Sequence, residues 1–163
     1  MKAYRNLRER GISVRLLILG AFDSLHPSGL NEAEIVELKN DPLVLMPGWQ
    51  ENVAEWLAVS DLCIFPSERE GMPVCLMESI SMGVPVITAD SRGCRDVVQD
   101  GVDGYVLEDA SILNLADQIE GLLKSPELLS SLRRASLAGR ARFDRANYVA
   151  EQLSSLGNLL ATV

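Results

Sequence analysis

The sequence predicts an α/β protein: a Rossmann-like, doubly wound parallel sheet with additional helices at its C-terminal end. Two observations predict it. Short apolar runs alternate with helix-patterned segments from residue 14 to residue 107, and Gly or Pro follows most of the runs. That is the signature of buried parallel strands joined by crossover helices. Beyond residue 111 only helical spacing remains.

Residues 2–10 are polar and helical in pattern, and 14–19 form a buried strand that ends at Gly20. The one long loop is 22–30. A second strand at 43–46 is stopped by Pro47-Gly48, and 51–59 reads as a helix with Val53, Trp56 and Leu57 on one face. The third strand, 62–65, ends at Pro66-Ser67. A helix over 73–82 follows, with Pro73 at its first position and Gly83 as its stop. The fourth strand is 85–88. A short helix at 95–99 leads to turns at Asp100-Gly101 and Asp103-Gly104 and a last strand at 105–107. Residues 111–123 are amphipathic, with Ile112, Leu115, Ile119 and Leu122 on one face. Ser125 caps the next helix, Pro126 takes its first position, and a final helix covers 144–160. The crossover rule places helices on both faces of the sheet.

With 163 residues, 47 % of them hydrophobic and 23 % charged, the chain has the composition of a single folded domain. No apolar run reaches the roughly 18–20 residues of a membrane span, and the charged start at 1–10 is no signal peptide. A net charge of −8 argues against a nucleic-acid-binding surface. The local cluster Arg133, Arg134, Arg140, Arg142 and Arg145 reads as a solvated helix face. Cys63, Cys75 and Cys94 have no metal-ligand spacing and read as reduced thiols, two of them in apolar surroundings. The single histidine, His26, has no Cys or His partner nearby, which argues against zinc, and it reads as an ordinary loop residue.

Ligands of open parallel sheets bind outside the carboxyl ends of the strands. Neither GxGxxG nor GxxxxGK[ST] occurs, so this is no standard dinucleotide site or P-loop. The informative segment follows the third strand. Ser67-Glu68-Arg69-Glu70-Gly71 is polar, and a helix begins at Pro73. At that start the N–H groups of Val74 and Cys75 have no intrahelical partner, which suits a phosphate. Gly71 lets the backbone come close to a ligand. Glu70 precedes the helix, and Glu78 interrupts its apolar stretch, so Glu78 must be paired or stay in water. The two carboxylates would suit the hydroxyls on either side of a diphosphate. They would equally suit a loop charge and a solvent-facing helix residue.

The order of motifs is more specific than any one of them. Pro66-Ser67, Glu70-Gly71, Glu78, Gly83-Val84-Pro85-Val86, Gly93-Cys94-Arg95-Asp96 and Gly101-Val102-Asp103-Gly104 follow one another. This series resembles the donor-binding segment of the retaining GT-B glycosyltransferases of the family-four group, with its Glu-x7-Glu core. The resemblance is detailed over 14–107 and looser through the last helices. It implies one half of a GT-B fold, with 1–163 as a single nucleotide-sugar-binding domain. It also implies that the family's first strand, with its Arg and Lys, and its N-terminal acceptor domain lie outside this chain.

By the same resemblance, Glu70 bonds donor-sugar hydroxyls. Backbone N–H groups of Gly71, Met72 and Val74, around Pro73, hold sugar and diphosphate. Glu78 grips the ribose, and Gly48-Trp49 lies near the base, although Trp49 fits a core or interface position equally well. Glu70 is the catalytic candidate, acting through orientation. No cofactor or metal is implied. The donor is a nucleotide sugar, by default a UDP-sugar, and the acceptor is a saccharide or lipid-linked hydroxyl. The reaction implied is transfer with retention, by front-face attack assisted by the donor phosphate, rather than the two-carboxylate plan of glycosidases. The Gly93-to-Asp96 version points to bacterial surface-polysaccharide or lipid-linked saccharide synthesis, hence to the cytoplasm and, for the intact enzyme, the inner membrane face. The chain alone is expected to be inactive.

Met72-Pro73 replaces the commoner Phe-Gly, and Asp96 stands where Glu is common. Three other readings compete. One is a non-catalytic nucleotide-sugar-binding or assembly module. Another is a GT-B epimerase or phosphorylase, although Lys2, Lys39 and Lys124 suit no phosphorylase cofactor site. The last is a receiver domain, with Asp23 as the only acid near the end of the first strand.

Overall fold

In the computed structural model, which describes residues 1–22 and 29–160, five strands alternate with helices as expected. The order is α1 (Lys2–Glu9), β1 (Leu16–Leu19), α2 (Glu32–Asn40), β2 (Val44–Gly48), α3 (Val53–Ala58), β3 (Cys63–Phe65), α4 (Val74–Ser81), β4 (Val86–Ala89), α5 (Arg92–Val97), β5 (Gly104–Leu107), α6 (Ile112–Leu123), α7 (Pro126–Gly139), a 3₁₀ turn (Arg140–Phe143) and α8 (Arg145–Leu160). Every strand pair is parallel, with β1 on β2 and the order β3-β4-β5 in a second ladder. The strands therefore form two ladders, since no β1–β3 pairing closes them into one among the described residues.

Two core clusters flank the strands. Leu115, Ala116, Ile119 and Leu122 of α6 bury against Ile87 and against Ala3 and Leu7 of α1, with Val14 and Ile64 packed alongside. Leu76 and Ile80 of α4 bury against Val86, Cys94 and Val97. All four residues of β4 are buried, as befits the middle of three strands. β5 passes so near that a Cβ on Gly104 would lie 2.2 Å from the Val86 carbonyl oxygen, so only glycine fits.

Several expectations need correction. α2 was not expected. Asn31 caps it by accepting from the Glu34 N–H at 2.9 Å, while Glu34 returns a carboxylate to the Asn31 N–H. The short helix expected at 95–99 lies at Arg92–Val97. Pro73 is the N-cap of α4, not its first helical residue. Ser125 precedes α7, but its side chain makes no capping hydrogen bond. The final helix starts at Arg145, after the 3₁₀ turn. Gly83 does stop α4: at φ +76° its N–H meets the Ile80 carbonyl and the Val84 N–H meets that of Ser79, a Schellman closure.

Arg142 is no solvated helix residue. Its guanidinium pairs with the buried Asp103, donates to the Val97 carbonyl at 2.8 Å and stacks on Phe143. Asp103 also accepts from the Gln99 N–H at 2.9 Å. The turn before β5 is thus tied to the C-terminal helices by a buried carboxylate. No helix among the described residues is long and apolar enough to cross a membrane.

Candidate functional site

The site is built where β3 and β4 end. Thr88, buried near the end of β4, donates its hydroxyl to the Phe65 carbonyl at 2.7 Å and fixes the two carboxyl ends together. From these ends the chain leaves as two loops, 66–73 toward α4 and 90–91 toward α5. Gly93, in the first turn of α5, lies so close to the carbonyls of Glu70 and Gly71 that no side chain fits between. The loop carrying Glu70 is therefore clamped by the start of α5.

Glu70 is half-buried, and Ser67 donates its hydroxyl to the Glu70 carboxylate at 2.8 Å. Gly71 and Met72 are exposed, and Pro73 is buried at the N-cap of α4. Val74 is exposed at the helix start, and no acceptor is recorded for the Val74 or Cys75 N–H among the described residues. Leu76, Ser79 and Ile80 turn inward, while Val74, Cys75 and Glu78 turn outward. The sequence required Glu78 to be paired or wet, and it is wet. Although Cys75 is exposed, partial desolvation of its sulfur pushes the thiol up to about 11, with the Cys63 thiol and the Glu70 and Glu78 carboxylates adding to the rise against a hydrogen bond from the Leu76 N–H. The structure thus sets Glu70, Gly71, Met72 and Pro73 in the loop that enters α4, Val74 at the helix start and Glu78 one turn further along it.

Gly48 ends β2 at φ +77°, and Trp49 beyond it is 78 % exposed, so Trp49 belongs to no core. Gln50 bridges this turn, donating to the Pro47 carbonyl at 3.0 Å and accepting from the Trp56 indole at 3.1 Å. His26 and Asp23 lie outside the described residues, as does most of the 22–30 loop. No cluster of three metal-ligating side chains occurs among the described residues.

Sequence reasoning passed over Arg92. It lines one open cleft of about 490 Å3 with Glu68, Arg69, Glu70 and Gly71. The Arg92-Gly93 dipeptide inside a motif segment was the available signal, but only the packing of Gly93 on Gly71 places Arg92 there.

The family model for "Glycosyl transferases group 1" matches residues 1–125. N-acetyl-alpha-D-glucosaminyl L-malate synthase of Bacillus anthracis is 44 % identical over 85 residues, 52 % of this chain and 22 % of that protein. The capsular polysaccharide biosynthesis glycosyltransferase CapM of Staphylococcus aureus is 24 % identical over 97 % of this chain and 41 % of its own length. The chain thus spans less than half of these relatives. Among solved structures, a glycosyltransferase from Rickettsia africae superposes with a TM-score of 0.81 at 21 % identity, covering 98 % of this chain and 43 % of that one. The pneumococcal O-GlcNAc transferase GtfA, solved with UDP and GlcNAc, gives 0.78 at 19 % identity, covering 98 % and 32 %.

Proposed function

This chain belongs to the group 1 glycosyl transferases, and we propose that it forms the part that binds a nucleotide sugar, by default a UDP-sugar. The observation that carries this reading is the clamp at the carboxyl ends of β3 and β4. It holds Glu70 beside a helix start whose N–H groups have no acceptor among the described residues, with Glu78 outward on the same helix.

In this reading Glu70 orients donor-sugar hydroxyls, the N–H groups from Gly71 to Val74 hold sugar and diphosphate, and Glu78 takes the ribose. Gly48-Trp49 stands near the base. Glu70 raises the rate by orienting the donor. The sugar passes to an acceptor hydroxyl with retention, and donor phosphate assists its deprotonation. The setting is surface-polysaccharide or lipid-linked saccharide synthesis, in line with what the relatives' names say of those proteins.

The reading includes one further strand and an acceptor domain that other sequence supplies. The gap between β1 and β3 supports the strand. α1 joins α2 through Arg5–Glu37 and Tyr4–Asp41, so both helices lie on one face. A right-handed crossover that ends in β1 from that face starts on the β1 edge away from β2.

Ligand-detected NMR with UDP, GDP and ADP tests the reading. One nucleotide should bind the chain and not its Glu78→Ala variant. Binding unchanged in the variant would refute the ribose assignment. The chain by itself should transfer no sugar to any acceptor, and robust turnover would contradict the domain assignment.

A further inference from the structure

The Glu70 cleft holds more charge than the donor reading uses. Glu68, Arg69, Glu70 and Arg92 all line it, and no ion pair joins any two of them. Neither the Arg69 nor the Arg92 guanidinium has a hydrogen-bond or ion-pair partner among the described residues. Several arginines elsewhere are engaged, such as Arg5 with Glu37, Arg95 with Asp90, Arg133 with Asp61 and Arg142 with Asp103, while Arg15, Arg140 and Arg145 are exposed away from this cleft without a side-chain partner among the described residues. Next to Arg92 in the chain, Ser91 is 5 % exposed, and its buried hydroxyl has no partner among the described residues and does not cap α5. An orphaned buried hydroxyl calls for a polar group that the chain itself does not supply.

Carboxylates accept from hydroxyls, and guanidinium groups bind phosphate or carboxylate through a rigid fork of donors. Both kinds, free of ion pairs among the described residues and open to one cleft, match a ligand that carries hydroxyls and an anionic group together. We propose that Arg69 and Arg92 bind an anionic group, phosphate or carboxylate, of the sugar substrate whose hydroxyls Glu70 holds. The part assigned to Glu70 rests on the donor reading, whereas the arginine site does not. Two sources supply this chemistry: the donor's diphosphate, or an acidic group on the sugar itself.

Calorimetric titration of the chain and of an Arg69→Ala/Arg92→Ala double variant separates them, using pyrophosphate, UDP, UDP-glucose and UDP-glucuronate. Both arginines are exposed, so the double variant should keep its thermal midpoint. Loss of charge-assisted contacts should weaken binding roughly tenfold. If the diphosphate is the source, pyrophosphate, UDP and UDP-glucose all weaken by that factor. If the source is an acidic sugar, UDP is unchanged and UDP-glucuronate alone weakens. A double variant that binds all four like the unaltered chain overturns the proposal. So does an unaltered chain that binds none of them. Pyrophosphate binding that the double variant loses, with no nucleotide bound by either protein, would refute the donor reading and leave the arginine site standing.

Discussion

Gly93 stands against Gly71 so closely that a Cβ at position 93 would lie 2.3 Å from the Gly71 carbonyl oxygen and 2.7 Å from that of Glu70. Both neighbours are backbone atoms and cannot swing aside as a side chain would. Gly93→Ala must therefore displace the loop that carries Glu70 or the first turn of α5. The expected cost is about 1–3 kcal/mol of stability, together with loss of nucleotide-sugar binding. Thermal melting and ligand titration check both. A variant that binds as before would show that the clamp does not position the site.

The Asp103–Arg142 pair gives a second test. Asp103 is buried, and Arg142 is about a quarter exposed. Arg142→Met leaves a buried carboxylate without its cation and should cost about 3 kcal/mol in urea unfolding. Asp103→Asn keeps an acceptor for the Gln99 N–H and should cost less. The reverse order would show that the carboxylate is not held by the guanidinium.

A third prediction concerns pH. The Cys75 thiol is pushed up to about 11 because partial desolvation and nearby negative charge favour its neutral form, although the residue is exposed. At pH 8 only about one part in a thousand is thiolate, so alkylation by iodoacetamide should be slow and rise about tenfold per pH unit toward pH 11. Glu78→Gln removes one of the negative charges and should speed the reaction at fixed pH. A rate that levels off by pH 9 would contradict the geometry around the sulfur.

Hydrogen exchange tests the gap between the ladders. The Leu16 N–H donates to the Leu43 carbonyl beside β2, and the Cys63 N–H donates to the Pro85 carbonyl beside β4. Successive N–H groups of a strand point to opposite edges, so those of Leu17, Leu19 and Ile64 face the unpaired sides. They should exchange faster than Leu16 and Cys63. Equal protection would mean that the gap is already filled.

Much of this was legible in the sequence, for local reasons. Gly83 and the apolar positions of α4 fix that helix, and its helical period places Glu78 opposite Leu76 and Ile80. The Glu70 loop follows from where β3 ends. α2 escaped notice because Glu32, Glu34, Glu37 and Lys39 leave Leu38 as its one buried residue, so no apolar stripe betrays it. The capping pair Asn31 and Glu34 was the readable sign. The partnership of Asp103 and Arg142 joins residues 39 positions apart, and no spacing rule reports such a contact. Arg92 is an exposed arginine with no periodic neighbours, and only the meeting of α5 with the 66–73 loop brings it to the cleft.

The most direct test is the amide spectrum of the chain titrated with UDP-glucose. The account predicts that the Gly71, Val74, Cys75 and Gly93 amides shift most, that Leu115 and Leu122 in the α6 core stay still, and that the Glu78→Ala variant shows neither binding nor shifts. Binding with the largest shifts far from the carboxyl ends of β3 and β4 would contradict the site proposed for the donor.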